Sequence, residues 1–134
     1  MNLTIISQLF YPELVSTGLT LTELCEALVK KGFKLNVIAG YPTVVDPQSP
    51  ISKKMTHQTI SIERVWSTRF PKLNIFGKIS NHLTLLFSLF FKLLFRSNKE
   101  PLLLLTNPPL LPLLMIFLYP IKKFNYSVLL FDLY

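Results

Sequence analysis

The chain has 134 residues, half of them hydrophobic, with 14 basic and 7 acidic side chains and a formal net charge of +7. That length suits one domain burying about two-thirds of the surface its unfolded chain exposes, and the apolar content excludes a disordered chain. A single cysteine, Cys25, excludes an internal disulfide framework and reads as a small buried thiol in a reducing compartment.

After Met1 the opening Asn-Leu-Thr-Ile-Ile-Ser has no basic n-region and no long apolar h-region, so no secretory signal is expected and a cytoplasmic location follows. Residues 2–7 are apolar and β-branched and predict a short buried strand, ended by the turn that contains Pro12. From Thr17 the pattern turns helical. Leu21, Leu24, Cys25, Leu28 and Val29 fall on one face, with Glu23 and Glu26 toward the start and Lys30 and Lys31 at the end, as the helix dipole favours. Gly32 supplies a left-handed stop, and residues 33–39 predict a second strand that ends at Gly40-Tyr41-Pro42. Strand, helix, glycine and strand within about 40 residues form a βαβ unit, which makes the two strands parallel.

Residues 43–58, with three prolines and the pair Lys53-Lys54, read as a surface loop. Residues 59–66 alternate and predict a third strand, and a connector with Pro71 follows. A strongly apolar helix is predicted over 77–96, a buried strand over 101–106, an apolar helix over 110–119 and a last strand over 126–131. The fold class expected is α/β, a Rossmann-like parallel sheet with flanking helices. The chain stops at Asp132-Leu133-Tyr134, where such a domain would continue into another helix.

Leu83 to Phe95 invites comparison with a membrane span. It is shorter than the roughly 20 residues that a hydrocarbon core requires, and Lys92 interrupts it. Four readings stand: a span, an ordinary core helix, a helix covered by a missing domain, or one or two helices that bury one face on the sheet and offer the other to a lipid surface. In the last, Lys72, Lys78, Lys92, Arg96 and Lys99 would meet anionic headgroups. Peripheral contact with the inner face of the plasma membrane is therefore among the expected partners. Two distant histidines and one cysteine make no metal-ligand spacing, and the lysines are too scattered among the aromatics for a nucleic-acid surface. No cofactor is expected.

Several segments in order resemble family 4 glycosyltransferases of the GT-B fold, nearest to the colanic acid and capsular polysaccharide branch. Ile5-Ile6-Ser7-Gln8-Leu9-Phe10-Tyr11-Pro12-Glu13 is similar to that family's opening strand and loop. Ser16-Thr17-Gly18 with Thr22-Glu23-Leu24 and Leu28 resembles its glycine loop and first helix. Gly40-Tyr41-Pro42 resembles the motif after its second strand, Thr106-Asn107-Pro108-Pro109 its Thr-Ser-Pro-Pro turn, and Phe131-Asp132-Leu133-Tyr134 the start of its Asp-Leu-(Trp/Tyr)-Pro-Asp segment. Two departures matter. The family usually carries two adjacent glycines in the first loop, where only Gly18 stands here. The resemblance also covers only about a third of a full-length enzyme and leaves out the donor-binding domain.

The resemblance implies a retaining transferase that moves a sugar from a nucleotide-sugar to a lipid-linked or saccharide acceptor, with this chain as the acceptor-side half and inactive alone. Gly18, with Thr17, would let backbone N–H groups approach a phosphate at the first helix, although a plain turn glycine reads the same way. Tyr11, Tyr41 and Asn107 would shape the acceptor pocket, or stand as ordinary loop residues. Asp132 would accept the proton of the acceptor hydroxyl or orient the acceptor, or else cap the next helix. His82 reads as a surface or capping residue. Two further readings are a membrane-associated subunit of a split transferase, paired with a separate donor-binding polypeptide, and a non-enzymatic truncated gene product.

Overall fold

The run at the start of the chain becomes strand β1 (Asn2–Ser7), and it pairs on both of its edges. The computed structural model describes residues 1–11, 17–41, 53–70, 73–97, 99–106 and 110–130. In chain order the remaining elements are α1 (Thr17–Lys30), β2 (Lys34–Gly40), β3 (Lys54–His57), β4 (Ile60–Val65), α2 (Ile75–Leu94), β5 (Leu102–Leu105), α3 (Leu111–Lys122) and β6 (Tyr126–Leu129). The strands form one sheet in the order β3-β4-β2-β1-β5-β6. All neighbours are parallel except β3, which runs antiparallel to β4.

Connection handedness explains which helix covers which face. The steps from β1 to β2 and from β4 to β5 move across the sheet in opposite directions. Right-handed crossovers therefore put α1 on one face and α2 on the other, and α3 follows α2 because β5 to β6 continues the same way. Alternate side chains feed the two layers. Ile5, Val37 and Ile62 pack with Leu21 and Cys25 of α1. Ile6, Ile38 and Leu104 pack with Leu85, Leu89 and Leu93 of α2 and with Met115 and Leu118 of α3.

The parallel sheet, α1 from Thr17 and the left-handed Gly32 (φ 93°) agree with the sequence reading. Four details differ. Residues 54–57, read as loop, are the edge strand β3. Gln58 and Thr59, both at positive φ (45° and 68°), turn the chain in the two-residue hairpin that Asn-Gly usually builds, so no turn signal announced it. The long helix starts at Ile75, two residues early, because the Asn74 side chain accepts from the Phe76 N–H at 3.1 Å and caps it. Helix α3 runs past Pro120 to Lys122; only two helical residues follow the proline, so little ladder is lost. Glu23 and Glu26 lie in the middle and second half of α1 rather than near its start, and the first turn holds no acid.

Asn81 and His82 sit inside α2, within the helix expected over 77–96. Asn81 is buried: its Oδ1 accepts from Thr68 Oγ1 and the Phe70 N–H, both at 2.9 Å, and its Nδ2 donates to the Phe70 carbonyl at 3.0 Å. That one side chain fastens the segment after β4 to the helix. At the opposite end of the sheet, Arg96 Nη2 donates to Thr4 Oγ1 (2.9 Å) and Glu100 Oε2 (3.2 Å), and Thr4 Oγ1 donates to the same carboxylate (2.9 Å). The Thr4 hydrogen bond, with help from Arg96, holds the Glu100 carboxyl below the usual carboxylate range.

Cys25 is fully buried as expected, and burial, reinforced by the adjacent Glu26 charge, raises its thiol pKa from 9.0 to about 12. Because the folded value is the higher one, the unfolded thiol ionises first and native stability declines as pH rises from about 9 toward 12. A thiol-specific disulfide reagent at pH 8 should leave the native chain unlabelled and label one equivalent in denaturant. Rapid labelling of the native chain would contradict the buried position.

Candidate functional site

In an open parallel sheet, ligands bind outside the carboxyl ends of the strands, where strand order reverses. Here the reversal lies between β1 and β5, so the relevant rim is built from Ser7, Gly40, Val65 and Leu105 and the segments after them. Thr17 and Gly18 open α1 and are both buried, and the Gly18 carbonyl accepts from Thr22 Oγ1 at 2.7 Å. That first turn is the N-terminal end of α1, where the helix dipole places partial positive charge. Tyr11 follows β1 and Tyr41 follows β2, so the structure brings Thr17, Gly18, Tyr11 and Tyr41 to the same end of the sheet. Asn107 and Asp132 lie outside the described residues.

The residue that organises this rim is Arg64, which sequence reasoning passed over. It sits near the end of β4 with no solvent exposure. Its Nη1 donates to the Gly40 carbonyl at 2.8 Å and its Nη2 donates to the Tyr11 carbonyl. One guanidinium thereby joins the ends of β4 and β2 to the loop after β1. The only signal in the sequence was a charge inside an alternating strand, at an inward-pointing position beside Ile60 and Ile62. Gly40 sits in tight surroundings. A Cβ there would stand 3.3 Å from Leu85 Cδ1 and 3.4 Å from the Gln8 carbonyl oxygen.

The two tyrosines differ in surroundings. The Tyr11 ring stacks on His57 (centroids 3.9 Å, 16° between planes), and His57 Nε2 lies 3.0 Å from Glu26 Oε1. This ring thus packs along the α1 face of the sheet. Tyr41 lies under the Arg69 guanidinium, 5.3 Å from the ring centroid, and lines a groove of about 570 Å3 between α2 and the β4 edge.

Two of the cations expected to meet headgroups are committed within the chain, Lys92 to Glu63 and Arg96 to Glu100. Lys78 and Lys99 are exposed, and Lys72 lies outside the described residues. Among the described residues, no group of three or more His, Cys, Asp or Glu is arranged to hold a metal ion, and no helix is long and apolar enough to cross a membrane. The outer faces of α2 and α3 carry many exposed apolar side chains, including Phe76, Leu83, Phe87, Ile116 and Phe117.

No family model matches the chain, and no curated protein matches it. Among solved structures it is similar to the sucrose-phosphate synthase from Thermosynechococcus elongatus, with a TM-score of 0.61 and 17% sequence identity over 97% of this chain and 32% of that one. The chain therefore spans about a third of that protein's length. At this identity the likeness concerns the fold, which is part of a GT-B-like Rossmann architecture.

Arg64 provides a direct test of the rim. Two hydrogen bonds from a charged donor to carbonyls are worth about 1.5–3 kcal/mol each, so Arg64→Ala should destabilise the chain by about 3–5 kcal/mol. Arg64→Lys, which offers one ammonium in place of a planar fork, should restore only part of this. Urea unfolding monitored by circular dichroism measures both. A Lys variant as stable as the parent would remove the two-carbonyl clasp.

Proposed function

We propose that this chain is the acceptor-side half of a glycosyltransferase of surface-polysaccharide synthesis, moving a sugar from a nucleotide-sugar to a lipid-linked acceptor at the cytoplasmic face of the membrane. The observation that carries this reading is the parallel sheet, whose carboxyl ends gather Thr17, Gly18, Tyr11 and Tyr41 on one rim in a GT-B-like fold. In this reading the first turn of α1, with Thr17 and Gly18, receives a phosphate at its N-terminal end, where the helix dipole favours an anion. Tyr11, Tyr41 and Asn107 border the acceptor, with the Tyr11 backbone held by Arg64. Asp132 accepts the proton of the attacking hydroxyl or orients the acceptor. The nucleotide and the sugar belong to a second, donor-binding unit, as a domain or a separate subunit. On its own this half is inactive.

A co-expression assay tests this. The chain is produced with the polypeptide of the adjacent reading frame, and nucleotide release from a panel of nucleotide-sugars is measured in the presence of a lipid extract. The pair should turn over and the chain alone should not. Asp132→Asn should slow the pair by about 10²–10⁴-fold if the carboxylate moves the proton. Turnover by the chain alone would overturn the half-site reading, and an adjacent frame without a donor-binding domain would favour a non-enzymatic fragment.

The exposed apolar side favours a second element of the reading, peripheral membrane contact. Phe76 is 74% exposed at the start of α2 and Phe117 69% exposed on α3, on the same side of the sheet. The chain as a whole carries a net charge of +7, and Lys78 on α2 is exposed, which suits contact of this side with an anionic lipid surface. The chain should co-sediment with vesicles containing phosphatidylglycerol, and Phe76→Asp with Phe117→Asp should release most of it. Undiminished sedimentation of the double variant would assign lipid contact elsewhere.

A further inference from the structure

We propose that the groove between α2 and β4 is a binding site for one anionic amphiphile, a hydrocarbon chain that carries a phosphate head. This deepens the lipid-directed reading above and rests on it for where the ligand comes from. The groove has a volume of about 570 Å3, within the range of small-molecule sites. Trp66, Phe87 and Phe91 form its apolar wall. Phe91 meets Phe87 and Phe90 edge to face at 4.8 Å and 5.5 Å, which makes that wall a braced aromatic surface.

The cationic side of the groove is set by Lys53, Arg69 and Lys92, with Lys54 beside them. Lys53 lines it and is exposed, and Arg69 lies over the lining Tyr41. Neither belongs to an ion pair among the described residues. Lys92 also lines the groove, where it pairs with Glu63 and neutralises the carboxylate that would otherwise repel an anion. Lys54 stands opposite Glu63 in the antiparallel register and adds to the same sign of charge. A phosphate thus meets Lys53 and Arg69 while a hydrocarbon chain lies against the aromatic wall. The wall continues into the exposed apolar side of α2 through Leu83 and Phe95, so a chain longer than the groove stays on apolar surface. An uncharged hydrocarbon would leave the cations unused, and a free phosphate would leave the wall wet. The combination selects an amphiphile.

Trp66 is the only tryptophan in the chain and is 62% exposed, so its fluorescence reports occupancy directly. The full chain is titrated with decyl phosphate below its micelle concentration. A saturable blue shift is expected, with octyl phosphate about fifteenfold weaker, since each of the two missing methylenes is worth about fourfold in affinity. Inorganic phosphate should give no shift, and decyl maltoside a clearly weaker affinity. Lys53→Glu and Arg69→Glu should each cost about fivefold, and Phe91→Ser about tenfold or more. Phe91 is 42% exposed, so its loss should leave the fold intact. Broadening of the decyl phosphate phosphorus resonance provides a second readout that does not depend on tryptophan.

No saturable shift, or equal affinity for decyl maltoside and decyl phosphate, overturns the site. A shift produced only by vesicles also overturns it, because that result describes surface docking without a groove ligand. The assay needs no sugar transfer. An inactive transferase that binds decyl phosphate sinks the functional reading alone, and an active one that does not bind sinks only the groove.

Discussion

Strand β1 is held on one edge by β2 through six paired residues and on the other by β5 through three, and it is parallel to both. A strand fixed in this way leaves the chain little choice. Parallel pairing demands long crossovers, and crossovers are right-handed, so the positions of α1, α2 and α3 follow from strand order. The carboxyl ends of the strands must then share one rim, and the segments after β1 and β2 have to meet there. Arg64 reaches across that rim because β4 pairs with β2 in a register that brings its guanidinium to Gly40.

Much of this was legible. Periodicity identifies α1 from Leu21 and Cys25 and β1 from its β-branched run, and Gly32 marks the break between α1 and β2. The parallel direction followed from the spacing alone. What stayed hidden depends on tertiary partners. Lys54–His57 is a strand only because β4 lies beside it, since four mostly polar residues have no pattern of their own. The turn at Gln58 and Thr59 takes a conformation that those side chains do not advertise. The last strand, β6, was read like its buried neighbours, yet it lies at the open edge with three of four residues exposed.

The rim was half legible. Thr17, Gly18, Tyr11 and Tyr41 stand at strand ends and a helix start that are visible in sequence, and they share one end of the sheet. Arg64 was not found, because a buried arginine declares itself only through the carbonyls it serves, and those come from residues 24 and 53 positions away. The two tyrosines looked equivalent as aromatic loop residues. Their neighbours separate them: His57 takes one ring and Arg69 the other, and only Tyr41 faces the groove.

Tyr11 is gripped from two sides by groups of different chemistry. The guanidinium on its carbonyl holds the backbone of the loop to β4. The imidazole against its ring lies 3.0 Å from Glu26 Oε1, so the same stack ties the β3 hairpin to α1. The loop after β1 therefore cannot shift without pulling on β4 through its backbone and on the outermost ribbon of the sheet through its ring.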